Sequence, residues 1–316
     1  MTVIINQETI KEHIIHRYEN LLLDDVSIDT DSDNIKGSFS LKIEKDDPLG
    51  RQIFSKNINP DTKILTPQLC MESLALASIV CSGKLKEGQM AIFAGISNFK
   101  KLKHLPFSEN IIGEVEKQGS KGAFLKYRGT LKDNSGNILA FGDMMAYFTS
   151  TSMSNDNEEP KKIEAFPIPT EKTPINKTDY PKPSQMVVLD HVLNCEETQI
   201  LGDYTYPTTH PFTKGHFPEN PIMMGIMQWI SVEDLALQYA KTNKITGEKT
   251  LKGNAVLFKH NYTLVAEVKQ FECSISIGVD SILDQCDVIQ TRKIVFRNMV
   301  RPGETILILL KDITIT

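Results

Sequence analysis

Two stretches of the chain are apolar on nearly every face. In residues 66–78, TPQLCMESLALAS, Glu72 is the only carboxylate among leucines, alanines and a methionine. After Gly225, the residues Ile226, Met227, Trp229, Ile230, Leu235, Leu237 and Tyr239 leave little polar surface. Both stretches read as buried helices, because a surface helix keeps a polar face. The expected spans are 60–82 and 221–241, with Thr66 suited to the N-cap and Pro67 to the first helical position. A shorter amphipathic helix is expected at 8–20, with Ile10, Ile14 and Ile15 on one side.

Elsewhere the pattern is that of strands. Residues 35–43 alternate, strands follow from 91, and 111–116, 123–129 and 138–148 continue the theme. Asp133-Asn134-Ser135-Gly136-Asn137 reads as a hairpin turn. One helix wrapped by an antiparallel sheet is thus complete by about residue 150. Residues 151–184, rich in Ser, Asn, Glu, Lys and Pro, read as a linker. Then Met186-Val187-Val188-Leu189-Asp190-His191-Val192 repeats the theme of Leu21 to Val26. A second apolar helix follows, with strands expected at 256–258, 264–277 and 306–310 and a basic strand from Thr291. The order recurs, so the chain reads as a duplicated unit, residues 1–150 and 185–316. The second unit stops two strands short of the first. Either it is reduced or the chain is part of something longer.

Composition narrows the function classes. A net charge of -5 over 316 residues argues against general nucleic-acid binding. The first twenty residues hold no apolar run long enough for a signal or a membrane span. Cys70, Cys81, Cys195, Cys273 and Cys286 are scattered without metal-ligand spacing, so free thiols in a reducing cytoplasm are expected.

The stretch with most chemistry is 210–229, HPFTKGHFPENPIMMGIMQW. Two prolines and two glycines around His216 fix the backbone. Gly225 opens the second helix and leaves the N–H groups of its first turn approachable. A histidine base and an oxyanion binder are what proton transfer beside a carbonyl requires.

Pro211-Phe212-Thr213-Lys214-Gly215-His216-Phe217-Pro218-Glu219-Asn220-Pro221, running through Ile222-Met223-Met224 to Gly225, resembles the signature of the hot-dog-fold β-hydroxyacyl thioester dehydratases. Met224 stands where that family usually has proline. His16, Arg17, Leu21, Leu22, Asp24 and Val26 resemble the family's H-R-x-x-x-L-L-x-D-x-V opening. Glu72-Ser73-Leu74-Ala75 resembles the segment with its catalytic acid. Ile92-Phe93-Ala94-Gly95-Ile96 resembles its F-A-G-I strand, and residues 291–304 its basic strand and P-G-D turn. The resemblance implies an α+β double hot-dog and an internal pseudo-dimer, with further pairing into a homodimer left open.

It also implies a split site. In the family the acid stands fourteen residues after the histidine, which from His216 lands on Ile230, no proton donor. The first repeat has Glu72 but no histidine in the loop from Gly50 to Asp61. Since each family site takes histidine and acid from different subunits, His216 and Glu72 are the expected catalytic pair. Gly225, Phe217 and Pro218 are the expected substrate contacts. Asp234, one helical turn beyond Ile230, is expected to be a surface or hydrogen-bonding residue. The implied reaction is dehydration of a 3-hydroxyacyl thioester to the trans-2-enoyl thioester, on acyl carrier protein or CoA, in fatty-acid or polyketide synthesis. The substrate rides on 4'-phosphopantetheine, and neither metal nor redox cofactor is implied. Enoyl-CoA hydration and a non-catalytic carrier-binding or scaffold role are the alternatives. The basic runs Lys100, Lys101, Lys103 and Arg292, Lys293, Arg297, Arg301 are candidates for docking an acidic carrier.

Overall fold

A computed structural model of the chain describes residues 2–29, 35–150 and 159–316. The alternating stretches become strands because one side of each meets a buried helix while the other meets solvent. In chain order come β1 (Thr2–Asn6), the one-turn helix α1 (Gln7–Ile10), β2 (Asp25–Asp29), β3 (Lys36–Lys42), β4 (Ser55–Asn57), β5 (Lys63–Leu65), α2 (Leu69–Cys81), β6 (Gln89–Lys101) and β7 (Leu105–Pro106). Then follow β8 (Asn110–Lys121), β9 (Phe124–Lys132) and β10 (Ile138–Ser150). The later part holds β11 (Thr173–Pro174), β12 (His191–Cys195), β13 (Ile200–Thr205), α3 (Gly225–Thr242), β14 (Gly247–Lys259), β15 (Leu264–Ile277), β16 (Gln285–Phe296) and β17 (Thr305–Ile315).

Strands β4, β5 and β7 form a small sheet of their own. The other fourteen form one continuous sheet in the order β1-β2-β3-β8-β9-β10-β6-β16-β15-β14-β17-β13-β12-β11. Every neighbour in it is antiparallel. Helix α2 lies against β3, β8, β9 and β10, and α3 against β13, β15, β16 and β17. All thirteen residues of α2 are buried. One hydrophobic core runs through both halves. The architecture is a double hot-dog, with the halves joined where β6 pairs with β16, Gly95 opposite Val295 and Lys100 opposite Gln290.

The second half is not short of strands, contrary to the sequence expectation. From edge to seam the first half reads β2-β3-β8-β9-β10-β6, and the second β12-β13-β17-β14-β15-β16. Position by position, β14 and β15 occupy the places of β9 and β10, and β16 that of β6. The two strands expected after β17 stand earlier, as a hairpin between α3 and β16. The chain order is permuted while the spatial order is kept. A linear comparison of the repeats expects the seam strand directly after the helix, so it counts these strands as missing.

Other boundaries also shift. The helix expected at 8–20 is only Gln7–Ile10, capped by Asn6 accepting from Glu8 and Thr9. Beyond Lys11 the chain turns, and a 3-10 turn at Tyr18–Asn20 follows. Helix α2 begins at Leu69, because Thr66 and Pro67 form a preceding turn through Thr66 O–Leu69 N and Pro67 O–Cys70 N. Pro221 keeps 221–224 out of α3. Residues 159–184 lie along the second half: Phe166 packs on Phe258 and Tyr262, Tyr180 is buried, and Lys182 reaches Asp234 at 2.5 Å. Residues 151–158 of the expected linker lie outside the described residues.

Candidate active site

The loop before α3 is folded back by its own glycine. A Cβ on Gly215 would fall on the Arg17 carbonyl oxygen and the Asn20 side-chain amide. Without one, the Arg17 N–H donates to the Gly215 carbonyl at 2.9 Å, stitching the first repeat to the second. The Arg17 guanidinium closes the preceding turn on the carbonyls of Ile14, His16 and Lys11. His16 is thereby held against His216, ring centroids 5.0 Å apart in an edge-on arrangement. The next residue, Phe217, has φ 58, a left-handed conformation that a bulky side chain adopts only under constraint. Its ring stands edge-on to His216 at 4.7 Å.

Glu72 projects from the first turn of α2 to the same place. One ligand atom each from His16, Glu72 and His216 fall within 4.8 Å of one another, and all three side chains are buried. They line a cavity of about 300 Å3 together with Gly225 and Phe217. Its wall is largely apolar: the buried Ala75, Leu76 and Ile79 of α2 on one side, and Phe93, Tyr147 and the more exposed Phe124 of the sheet on the other. Asn220, Arg297 and Arg301 stand at its polar side.

Burial sets the protonation states. His216 donates from Nδ1 to the Ile222 carbonyl at 2.7 Å, an assignment that leaves Nε2 unprotonated. Burial pulls its conjugate acid down to about 4, the Ile222 bond opposing. The same cause pushes Glu72 up to about 8. At neutral pH the pair is therefore a neutral imidazole and a protonated carboxyl. His16 is held well below the ordinary histidine value by burial, then by His216 and Arg17. Among the described residues, its Nδ1 and the Oε2 of Glu72 have no hydrogen-bond partner.

Helix α3 starts at Gly225 with no side-chain cap from Met224. Its first N–H groups are those a helix leaves unpaired, and Gly225 faces the cavity. A Cβ there would press on the Phe296 ring at 2.9 Å. Of the expected site residues, the structure brings together His216, Glu72, Gly225 and Phe217. Pro218, expected to contact substrate, is exposed and does not line the cavity. His16 was missed as a site residue. The signal for it in the sequence is the His16-Arg17 pair that opens the family-like H-R-x-x-x-L-L-x-D-x-V run.

The pseudo-equivalent place across the molecule is filled differently. A second cavity of about 300 Å3 is lined by Glu248, Ser274, Ser276 and Asp287 on the ends of β14, β15 and β16, and by His104 just beyond β6, among others. Beside it Lys56 is buried between Asp287 and Glu233, and Lys101 pairs with Asp287 at 2.7 Å. Burial alone would lower the Lys56 ammonium, but the Asp287 and Glu233 charges win and raise it. Gln68 and the Val288 N–H donate to Glu233, each at 2.9 Å. Asp234 is buried rather than exposed, bonded to the Val188 N–H at 2.7 Å and to Lys182. Ile230 is buried in the core.

Placement also divides the basic residues. Lys101 is committed to Asp287 and is no free docking charge. Lys100 and Lys103 are exposed but do not line the cavity. Arg297, paired with Glu267 at 2.9 Å, and Arg301, bonded to Asn220, border the cavity that holds His216. All five cysteines are free. Among the described residues no helix is long and apolar enough to cross a membrane.

No family model matches the chain, and no curated protein matches it. Solved structures do resemble it. The dehydratase domain of RzxB from Pseudomonas fluorescens has a TM-score of 0.48 at 7% identity, covering 96% of this chain and 99% of that one. The dehydratase domain from the CurF module of curacin polyketide synthase gives 0.46 at 8%, over 90% and 100%. That from the CurK module gives 0.44 at 10%, over 89% and 92%.

Proposed function

We propose that the protein dehydrates a 3-hydroxyacyl thioester to the trans-2-enoyl thioester. The observation that carries this reading is the meeting of a neutral imidazole from one repeat and a protonated carboxyl from the other, in one apolar cavity beside an uncapped helix start. His216 Nε2 takes a proton from C2. Charge that develops on the thioester oxygen is held by the N–H groups opening α3 at Gly225. The C3–O bond breaks as Glu72 gives its proton to the hydroxyl, which leaves as water. The transfer turns a neutral pair into imidazolium and carboxylate, whose mutual attraction offsets part of the cost of creating charge in a buried place. A proton returned from imidazolium to carboxylate restores the resting state. The acyl chain lies along Leu76, Ile79 and Phe124, and the carrier arm enters past Arg297 and Arg301.

The test is direct. Purified protein is given a 3-hydroxyacyl group on acyl carrier protein, on CoA and on a short pantetheine analogue, and enoyl formation is followed by absorbance and mass. Turnover that falls at least 100-fold in His216→Ala is expected. Binding of all three without turnover would establish a non-catalytic thioester-binding protein instead.

A further inference from the structure

We propose that His16, Glu72 and His216 form a chelating site for one divalent transition-metal ion of the zinc class, and that the bound ion shuts off the cavity's proton chemistry. Only the second half rests on the dehydratase reading.

Two imidazoles and one carboxylate are a donor set that suits zinc, and three protein ligands leave a fourth position open. The three ligand atoms already lie within 4.8 Å of one another. Around a tetrahedral zinc with bonds of about 2.0–2.2 Å, ligand atoms are roughly 3.3 Å apart. Side-chain movements of about an ångström therefore close the set. Neither His16 Nδ1 nor Glu72 Oε2 has a hydrogen-bond partner among the described residues, so no bond through those atoms ties the two side chains in place. His216 is already oriented as metal-bound histidines are. Its Nδ1 is tied to the Ile222 carbonyl at 2.7 Å, which leaves Nε2 for the ion. His16 is positioned by the Arg17 staple and the Arg17–Gly215 bond. The fourth position faces the cavity and takes water.

The electrostatics agree with the geometry. Both imidazoles are neutral at pH 7, so neither has a proton to lose. Glu72 does, and binding at pH 7 releases its proton to solvent while the carboxylate takes one positive charge of the ion. Once bound, the ion occupies the lone pair of His216 and removes the proton of Glu72. Both halves of the acid–base pair are gone, and a thioester must displace the ion to react.

The experiment uses the full chain stripped of metal with a chelator. Zn2+ is titrated calorimetrically at pH 7 in two buffers of different protonation enthalpy, and Co2+ is titrated by visible absorption. One ion per chain, about one proton released and the intense bands of tetrahedral cobalt are expected. His16→Ala and Glu72→Gln should each weaken zinc at least 100-fold. Circular dichroism checks that each variant folds, and crystals of the unmodified chain soaked in zinc cover a variant that does not. Anomalous density between the three side chains supports the site. Density elsewhere, binding lost only with Cys195→Ser, or no stoichiometric binding overturns it. Zinc binding without dehydratase activity would defeat the functional reading and leave the metal site standing. Turnover unaffected by a stoichiometric ion defeats the blocking half.

Discussion

The backbone N–H of Arg17 and the carbonyl of Gly215 share a 2.9 Å hydrogen bond across nearly two hundred residues of chain. It joins the two repeats beside the cavity and fixes His16 against His216. The absence of a side chain at position 215 is what allows it, since a Cβ would occupy the place of the Arg17 carbonyl. Gly215→Ala is therefore expected to cost about 1–3 kcal/mol of stability, the range for overpacked sites. Turnover per folded molecule should fall as well, because the two loops part where His216 stands. Melting temperature and turnover measured on the same preparation check both. A variant with parent-like values on both would show that the contact sets neither.

The proposed pair predicts a bell-shaped dependence of kcat/KM on pH. The base must be unprotonated and the acid protonated, so the limbs belong near 4 and near 8. Stability follows the same two groups with opposite signs. His216 is lowered from its unfolded value, so its contribution is present above about 6.5 and lost as pH falls toward 4. Glu72 is raised, so its contribution is full below about 4.5 and lost as pH rises to about 8. Glu72→Gln should consequently be more stable than the parent at pH 8 and close to it at pH 4. Thermal melts across this range decide it.

Glu72→Gln and His216→Ala should each lower turnover by about 100- to 10,000-fold, the usual worth of a general acid or base. The double variant should be little worse than either, since groups acting in one step are not additive. A Glu72→Gln protein with normal turnover would remove the carboxyl from the mechanism. Asp234→Asn is expected to behave differently. It leaves the Lys182 ammonium in a buried place without its partner, a loss of about 3–5 kcal/mol by comparison with other broken buried pairs. Its turnover per folded molecule should stay near the parent value.

Charge reversal separates docking from folding. Arg301→Glu should weaken turnover of a carrier-linked substrate while sparing a short pantetheine analogue, because Arg301 borders the cavity and is exposed. Lys101→Glu should instead destabilise the fold, since it sets a carboxylate against Asp287. Equal loss on both substrates in Arg301→Glu would dismiss the carrier contact.

Much of this was legible in the sequence because it is local. The run from Pro211 to Gly225 carries its loop, base and helix start in consecutive residues, and the apolar surroundings of Glu72 announce its burial. The partner of Lys101 was not legible, since Asp287 lies on another strand and meets it only once β6 and β16 pair. The exposure of Pro218 was hidden for a related reason. A motif gives the order of residues along a loop but not which of them the loop turns outward. The boundary of the first helix failed because isoleucines at helical spacing also fit a turn that buries Ile10 and Ile14 separately.

The displaced hairpin of the second half bears on how the molecule comes together in time. There β14, β15 and β16 are consecutive in the chain and adjacent in the sheet, so the strand at the seam arrives as the outer member of a meander closed by short loops. In the first half β6 is made before β8, β9 and β10, yet it pairs with β10, the last of them. Its closure spans far more chain and is expected to be the slower event. The second half thus serves as template and the first as late partner, and the shared cavity opens for business only at the end of refolding. Pulsed amide-exchange labelling should find β15 and β16 protected before β6, and recovery of the site should follow the slow phase.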